Sequence, residues 1–308
     1  MWISFNEGET WTCPIVVNDS YLDDRDAGIT YLGNGRLLMA FFNQRDERDG
    51  AHVVDCDWMK APRKATISGM GKVVPLIEAE KRIEGNFVKI SEDYGVTWSE
   101  NIPVPMTAPH GASVGIDGCP IFMGRITDGE NKDRIGYYHS ADGGYTWDFR
   151  GVVPIPEDAN TNMMHEPHVV QLPDGRLLGA IRVHDRPVEP SFTVYTTFSD
   201  DGGYTWSMPQ CTGLDGSPPH LMVHSSGAVI LSYGCRNGNK KSERAAVSYD
   251  GGVTWADDYE LNADIPYNDL GYPATVELAD GSLLTVYYQC QVLDDWTSIL
   301  QTKWSLEK

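Results

Sequence analysis

The segment His-Glu-Pro-His places two imidazoles and a carboxylate within four residues. Histidine and glutamate serve as zinc ligands and proton carriers, so His165, Glu166 and His168 invite comparison with the zinc protease motif. That motif has two residues between its glutamate and its second histidine, all on a helix. Pro167 shortens this spacing and disfavours the helix. No other metal-ligand spacing occurs, and we expect neither a metal nor a cofactor.

A second set of acidic residues recurs in one pattern, Ser-x-Asp-x-Gly-x-x-Trp. In a tight turn the aspartate can accept hydrogen bonds from backbone N–H groups of its own turn, and the glycine supplies positive φ. The tryptophan offers a large apolar face to pack between sheets. Because a turn repeated around a ring is scaffold, we assign these acids no catalytic role. The five copies are 4–11 (with Asn6 in the aspartate position), 91–98, 140–147, 199–206 and 248–255.

The spacing of these turns predicts the architecture. Their tryptophans follow one another at 87, 49, 59 and 49 residues, close to the length of a four-stranded propeller blade. Five segments read as strand, glycine turn and strand, which is typical of hairpins. Helical periodicity is absent, and a polar insertion between Gly50 and Asn86 separates two strands of one blade. We therefore expect a single all-β domain over residues 1–308, a β-propeller. The hairpins are 31–41, 115–125, 171–182, 222–234 and 277–288.

The number of blades is open at this point. The chain begins inside one turn motif and ends where another would begin. Either five blades close, with the N-terminal segment supplying the final outer strand, or a sixth blade has lost its first two strands upstream of Met1.

The composition of the chain limits the classes of molecule that it is expected to bind. A net charge of -20 argues against binding nucleic acid through the overall field, so an anionic substrate needs a local arginine cluster. No apolar run reaches membrane-spanning length, and the N-terminus lacks a signal-peptide pattern. We expect a soluble chain without membrane partners, cytoplasmic as given, or secreted or periplasmic if its N-terminus was trimmed. Six cysteines without a C-x-x-C pair indicate no disulfide scaffold. The oligomeric state is not indicated.

The turn motifs, with the segments Glu-Pro-His-Val-Val and Gly-Tyr-Pro-Ala-Thr, resemble the sialidase (neuraminidase) superfamily over essentially the whole chain. The resemblance implies a six-bladed β-propeller whose central pocket splits terminal sialic acids from glycans. It also implies a Tyr nucleophile, a Glu base for that Tyr, an Asp acid/base and three arginines on the substrate carboxylate. Because the scaffold also carries other functions, a non-catalytic glycan-binding propeller and a glycosidase for another acidic sugar are the alternatives.

The resemblance carries over to specific positions. Glu166, at the start of an inner strand, matches the base, and Tyr272, which begins the last inner strand, matches the nucleophile. A tyrosine with an ordinary pKa near 10 needs such a carboxylate to take its proton. Arg182, at the end of a hairpin strand, matches the second arginine. Arg236 and Arg244 compete for the third, and we favour Arg236 because it shares the strand-end position of Arg182.

The first arginine and the acid/base are assigned to Arg25 and Asp49. Arg25 opens a blade, and Asp49 follows 24 residues later, about the gap that the arrangement needs. A solvated charged loop is the alternative for Asp49, and both residues would lie upstream of Met1 if another blade precedes. His168 and His220 each follow a proline at an inner strand. Facing the axis, they would bind glycan hydroxyls or donate protons, and packing near the channel is the alternative.

Overall fold

The computed structural model describes residues 1–44, 83–237, 241–263, 265–290 and 297–306. The regular elements in these ranges are twenty β-strands that form five antiparallel sheets. The predicted all-β propeller architecture is therefore confirmed. No helix in the described part of the chain is long and apolar enough to cross a membrane.

Each sheet is a blade whose strands pair in chain order from the inner strand outward. The first has β1 (Asp23–Gly33), β2 (Arg36–Gln44), β3 (Gly85–Ser91) and β4 (Ile102–Val104). The second has β5 (Met106–Thr107) and β6 (Ser113–Val114), which both pair with β7 (Pro120–Ile126), then β8 (Ile135–His139) and β9 (Asp148–Val152). The third has β10 (Met164–Gln171), β11 (Leu177–Val183), β12 (Thr193–Ser199) and β13 (Gln210–Asp215). The fourth has β14 (His220–Val223), β15 (Val229–Cys235), β16 (Ser242–Ser248) and β17 (Ala256–Asn262). The fifth has β18 (Leu270–Glu277), β19 (Leu283–Cys290) and β20 (Thr297–Trp304).

The repeated turn has the hydrogen bonding that its sequence predicts. In the second blade the Asp142 carboxylate accepts from the Thr146 backbone N–H at 2.9 Å and from the Thr146 hydroxyl at 2.7 Å. Ser140 closes the turn by accepting from the Gly144 N–H at 2.7 Å. The indole of Trp147 donates to the Gly144 carbonyl at 3.1 Å. These bonds satisfy the turn's own polar groups, so the aspartate is structural, as expected.

The core lies between neighbouring blades, where the turn tryptophans pack. Trp206 of the third blade lies 5.5 Å, centroid to centroid, from Tyr137 of the second. Gly203, with φ of 94°, approaches the same tyrosine so closely that a Cβ on it would lie 2.1 Å from Tyr137 Cδ1. Burying one such aromatic side chain contributes roughly 1.5–3 kcal/mol, which fixes the blades relative to one another.

The N-terminal segment joins the last blade to the first. Gln301 on β20 donates to the Gly8 carbonyl at 2.7 Å and accepts from the Trp11 indole at 3.0 Å. Met1 packs against Gly95 of the first blade. The N-terminal segment thus supplies the turn motif, 4–11, that packs on the last blade, although residues 1–22 contain no strand. The described residues form five blades, so the six implied by the resemblance are not confirmed.

Candidate active site

Three inner strands share one backbone irregularity at their start. In β1, β10 and β18 two residues stand opposite a single residue of the neighbouring strand, which is a β-bulge. The first residue of each pair is left-handed, with φ of 53° at Asp26, 45° at Glu166 and 53° at Tyr272. Such a backbone costs about 1–3 kcal/mol per residue and is typical of functional positions. Three blades therefore present three polar side chains from equivalent positions.

Two of these side chains meet. The Tyr272 hydroxyl donates to Glu166 Oε1 at 2.6 Å. Arg182 Nη1 donates to Glu166 Oε2 at 2.5 Å. The side chains of Glu166 and Arg182 are 18% and 19% exposed, so both charges lie largely out of solvent. One carboxylate therefore holds a phenol on one oxygen and a guanidinium on the other.

Burial and neighbouring charge set the protonation of this group. Burial raises the pKa of Tyr272 well above its usual range, and the nearby carboxylates of Glu166 and Asp26 raise it further. The phenol is consequently protonated at neutral pH, with Glu166 as the acceptor in place. Burial works against the charge of Arg182, but the charge of Glu166 outweighs it, and the pKa of Arg182 is raised.

A second arginine reaches the same place from the fourth blade. The guanidinium carbons of Arg182 and Arg236 lie 5.0 Å and 5.8 Å from the ring centroid of Phe192. Arg236 also lies 5.6 Å from the ring centroid of Tyr272. In the described part of the chain, the buried Nε atoms of both arginines have no hydrogen-bond partner. Two guanidinium groups are thus stacked on aromatic rings with N–H donors left over for an anion.

A buried carboxyl group lies within electrostatic reach of Arg236. Glu243 on β16 is fully buried. Burial raises the pKa of Glu243 well above its ordinary range, and the charge of Arg236 acts in the opposite direction. In the described part of the chain neither carboxyl oxygen of Glu243 has a hydrogen-bond partner, so its interaction with Arg236 is electrostatic and not an ion pair in contact.

The two other predicted arginines, Arg25 and Arg244, are each bound by carboxylates. Arg25 begins the bulge of β1, where its Nε donates to Asp23 at 2.6 Å. Arg244 is held by the outer strand β17, with Nη1 donating to Asp258 at 2.5 Å and Nη2 to Glu260 at 2.8 Å. Because two outer-strand carboxylates bind Arg244, whereas Arg236 lies near Phe192, we continue to favour Arg236 as the third arginine. Asp49 lies outside the described residues.

Three histidines, two of them buried and His220 partly exposed, form a layer across the axis. The rings of His168 and His220 stack at 4.6 Å, and His110 lies 5.6 Å and 5.3 Å from them. His168 Nδ1 accepts from the Leu221 N–H, so Nε2 carries the proton and donates to Ser113. Both nitrogens of His168 are thus engaged, which supports packing over glycan binding for this residue. Burial lowers the pKa of all three histidines, to about 4 for His220. The layer is therefore neutral.

An axial cavity of about 340 Å³ lies along the histidine layer and is lined by inner-strand residues of all five blades. His110, His168 and His220 border it, with Tyr31 of the first blade and Thr275 of the fifth. Among the described residues that line this cavity, neither Tyr272 nor Glu166 is found. The layer, in which His110 lies 6.4 Å from the Tyr272 ring, therefore adjoins both the candidate site and the cavity.

One group of residues has the donor types of a metal site. Ligand atoms of Asp117, Cys119 and His139 lie within 4.8 Å of one another. The imidazole of His139 is already bonded to Asp117 at 2.8 Å, and the pKa of the Cys119 thiol is raised, by burial first. These donors satisfy one another, so the cluster carries no argument for a metal.

Sequence reasoning missed Asp26, Phe192 and the buried Glu243. The spacing of the sequence is sufficient to identify the position of Asp26, because it lies nine residues before the hairpin glycine Gly35. Glu166 and Tyr272 stand at the same distance from the hairpin glycines of their own blades. Phe192 and Glu243 carry no such signal. Strand pairing within their own blades places them near Arg182 and Arg236, and the packing of two blades brings Phe192 to Arg236.

Comparison with known proteins identifies the repeat. Residues 121–292, more than half of the chain, match the family model described as a BNR repeat-like domain. No curated protein matches the chain.

Solved structures extend the likeness to the whole fold. A protein of unknown function from Dyadobacter fermentans is 21% identical, with a TM-score of 0.75 over 98% of this chain and 82% of its own. The Hadza microbial sialidase Hz136 is 16% identical, with a TM-score of 0.66 over 98% of this chain and 58% of its own. The Trypanosoma rangeli sialidase, solved with the inhibitor DANA, is 15% identical, with a TM-score of 0.62 over 98% and 49%. The chain thus spans about half the length of these sialidases, and the likeness shows the fold.

Proposed function

Because the chain belongs to the BNR repeat-like domain family of β-propellers, we propose that it is a retaining exo-glycoside hydrolase of the sialidase type. Its substrate is a glycan ending in sialic acid or a related acidic sugar. The sialidases among its structural neighbours support the substrate class through the shared fold. The chemistry is argued from the residues of this chain.

The observation that carries the proposal is the bond between Tyr272 and Glu166. With the phenol 2.6 Å from the carboxylate, Glu166 can take the proton as the Tyr272 oxygen attacks the anomeric carbon. A neutral phenol approaches an anionic substrate without the repulsion that a carboxylate nucleophile would meet. Arg182 on the other oxygen stabilises the charge of Glu166 before the transfer. As the Tyr272 oxygen bonds to the anomeric carbon, the bond from that carbon to the aglycone oxygen breaks, and the aglycone leaves as its alcohol after taking up a proton. Water then hydrolyses the glycosyl-tyrosine intermediate with retention.

The arginines provide the recognition of the acidic sugar. Arg182 and Arg236 face Phe192 from two blades, and each has a buried N–H without a partner in the described part of the chain. A carboxylate between them would accept charge-assisted hydrogen bonds in a site with little solvent. Recognition is local, because the net charge of -20 repels anions at long range. Arg25 can bind the same carboxylate only if its hydrogen bond to Asp23 breaks.

Another acidic sugar is the second candidate. Arg25 is paired with Asp23, so the two arginines near Phe192 form a clamp that fits any single carboxylate, a uronic acid included. A panel of fluorogenic uronides beside a sialoside separates the two substrates. A propeller that binds glycans without cleaving them would bind an unsaturated sialic acid analogue but release no fluorophore.

The test is the turnover of methylumbelliferyl sialoside by wild type and by Tyr272→Phe. We expect the substitution to abolish detectable turnover, because it removes the oxygen that forms the covalent bond. Binding of the unsaturated analogue should persist, since the arginines are unchanged. Tyr145→Phe, on an exposed turn, is the matched control and should retain activity. Unchanged turnover by Tyr272→Phe would remove Tyr272 from the mechanism.

A further inference from the structure

The inner strands carry a second concave site beyond the candidate active site. Glu166 and Tyr272 stand near the starts of β10 and β18. The axial cavity of about 340 Å³ is instead lined by residues further along the same strands, Gln171 and Thr275 among them. A strand rises about 3.3 Å per residue, so the backbone of Gln171 lies roughly 15 Å along β10 from that of Glu166. The cavity therefore extends from the histidine layer towards the face of the ring that carries the hairpin turns.

The mouth of the cavity is formed at one level of the ring. On four blades the residue that stands four positions before the hairpin glycine lines the cavity: Tyr31, Val114, Gln171 and Val223. Tyr31 and Val114 are exposed, so the cavity opens to solvent at this level. Glu277 has the same position in the fifth blade, but its carboxylate is bound by two residues of the fourth blade. It is not among the described residues that line the cavity.

The wall of the cavity carries no charge. Among its described lining residues there is no aspartate, glutamate, lysine or arginine. Burial lowers the pKa of the three histidines, so they are neutral. Much of the remaining wall is aliphatic, with Ile29, Val170, Leu221 and Met222 among its members. Because moving a charged group out of water costs free energy unless an opposite charge replaces the solvent, the wall favours an uncharged molecule with a largely apolar body.

Most polar groups of the wall already have partners within the protein. The Thr30 hydroxyl donates to a backbone carbonyl, and the Ser113 hydroxyl is bonded to one of the three histidines. The Gln171 side chain accepts from one backbone N–H and donates to a backbone carbonyl. The Thr275 hydroxyl is shared with two hydroxyls of the neighbouring strands. These groups therefore have little hydrogen-bonding capacity left for a ligand.

His110 is different. Its ring is buried and borders the cavity, and neither ring nitrogen has a hydrogen-bond partner in the described part of the chain. A neutral imidazole has one N–H donor and one acceptor nitrogen. Burial lowers the pKa of His110, and the Pro273 carbonyl opposes this effect, but a carbonyl can serve only the N–H. The acceptor nitrogen is thus left without a donor, which costs free energy that a bound molecule can recover.

We propose that this cavity is a second binding site, for a small uncharged molecule with an apolar body and one hydroxyl group that donates to His110. The body packs against the aliphatic wall, and the hydroxyl supplies the donor that the protein lacks. The volume of the cavity is at the lower end of the range of small-molecule sites, which have mostly apolar walls and few polar groups. The inference does not depend on the proposed function, since neither Tyr272 nor Glu166 lines the cavity.

The experiment compares ligands that share one ring and differ in the attached group: cyclohexanol, cyclohexanone, cyclohexanecarboxylate and cyclohexylammonium. The readout is the NMR signal of the Met222 methyl group, which lines the cavity, in the full chain with labelled methionine methyls. We expect a saturable shift with cyclohexanol. The dissociation constant should be about tenfold higher for cyclohexanone, which cannot donate to His110, and about 100-fold higher for the two ions. Met123, in the core between the second and third blades, should not shift.

Two variants test the parts of the site separately. His110→Phe keeps an aromatic ring in the layer but removes the acceptor nitrogen, so cyclohexanol and cyclohexanone should then bind about equally. Val114→Trp places a large ring in the mouth, and the Met222 shift should be lost. Val253→Trp, on an exposed turn outside the cavity, is the matched control and should bind cyclohexanol as wild type does.

The possible outcomes decide the proposal in either direction. It is overturned if no ligand shifts Met222, which would mean that the cavity holds water only, or if wild type binds the alcohol and the ketone equally. A preference for the alcohol that persists in His110→Phe would also overturn it. If that variant does not fold, Val114→Trp decides, and unchanged binding there contradicts the site. Displacement of cyclohexanol by the unsaturated sialic acid analogue would place the alcohol in the candidate active site and remove the second site.

Discussion

Glu166 and Tyr272, which are 106 residues apart in the sequence, occupy the same position of two different blades and share a hydrogen bond of 2.6 Å. Each stands at the left-handed position of a bulge at the start of its inner strand. A regular strand alternates its side chains between two faces, and a bulge changes the direction of the side chains at that point. The bulges therefore orient Glu166 and Tyr272, and the packing of the blades brings the two strand ends together.

Glu166→Gln tests the base. Glutamine keeps the shape but cannot take the phenol proton, and it leaves the buried charge of Arg182 without its partner. We expect kcat for a fluorogenic sialoside to fall about 100-fold or more. Glu157→Gln, at an exposed position, should match wild type. Turnover by Glu166→Gln within a few-fold of wild type would contradict the assignment.

Arg236→Lys tests the clamp. Lysine keeps one positive charge but loses the planar group that stacks on Phe192 and Tyr272. We expect KM for the sialoside to rise about tenfold, with a smaller change in kcat. Arg244→Lys is the comparison, because that arginine is held by Asp258 and Glu260. A larger KM effect from Arg244→Lys than from Arg236→Lys would reverse the choice between the two arginines.

Asp201→Asn tests the structural role of the repeated acid. Hydrogen bonds from Thr205 lower the pKa of Asp201 from 3.8 to about 2. A group whose pKa is lowered by folding stabilises the fold above pH 3.8, and this contribution is lost as pH falls towards 2. Asparagine does not titrate, although it can still accept from the turn, as Asn6 does from Thr10. We therefore expect the variant to be less stable than wild type at pH 7.

The measurement for Asp201→Asn is the urea midpoint between pH 7 and pH 2. The difference from wild type should shrink as pH falls through the range between the two pKa values. Asp200→Asn, one residue away and exposed, controls for the loss of one negative charge. If the difference in urea midpoint between Asp201→Asn and wild type stayed constant down to pH 2, the charge of Asp201 would not stabilise the turn.

Gly203→Ala tests the contact between blades. Its Cβ would lie 2.1 Å from Tyr137 Cδ1, at a φ of 94° that alanine rarely adopts. We expect the free energy of unfolding to fall by about 3 kcal/mol or more, from overpacking and backbone strain together. Gly175→Ala has almost the same φ, 93°, but open space around it, and should cost only about 1–2 kcal/mol. Equal losses in denaturant titrations would show that packing against Tyr137 is unimportant.

Part of the candidate site follows from repetition in the sequence. The turn motifs set the blade period, and the hairpin glycines set a frame within each blade, so Glu166 and Tyr272 could be placed at equivalent positions. The same frame contains Asp26, nine residues before Gly35 and next to Arg25. The choice between Arg236 and Arg244 was open, since both lie at strand ends.

The structure of each blade is encoded locally, because turn chemistry and strand alternation act between residues close in the chain. Asp142, Gly144 and Trp147 make the same turn wherever the blade stands. The folded ring, in contrast, sets the number of blades, the docking of Gly8 on Gln301 and the grouping of Arg182, Arg236 and Phe192. Ring closure and convergence on the axis depend on how large apolar faces pack between blades. No local pattern encodes that packing.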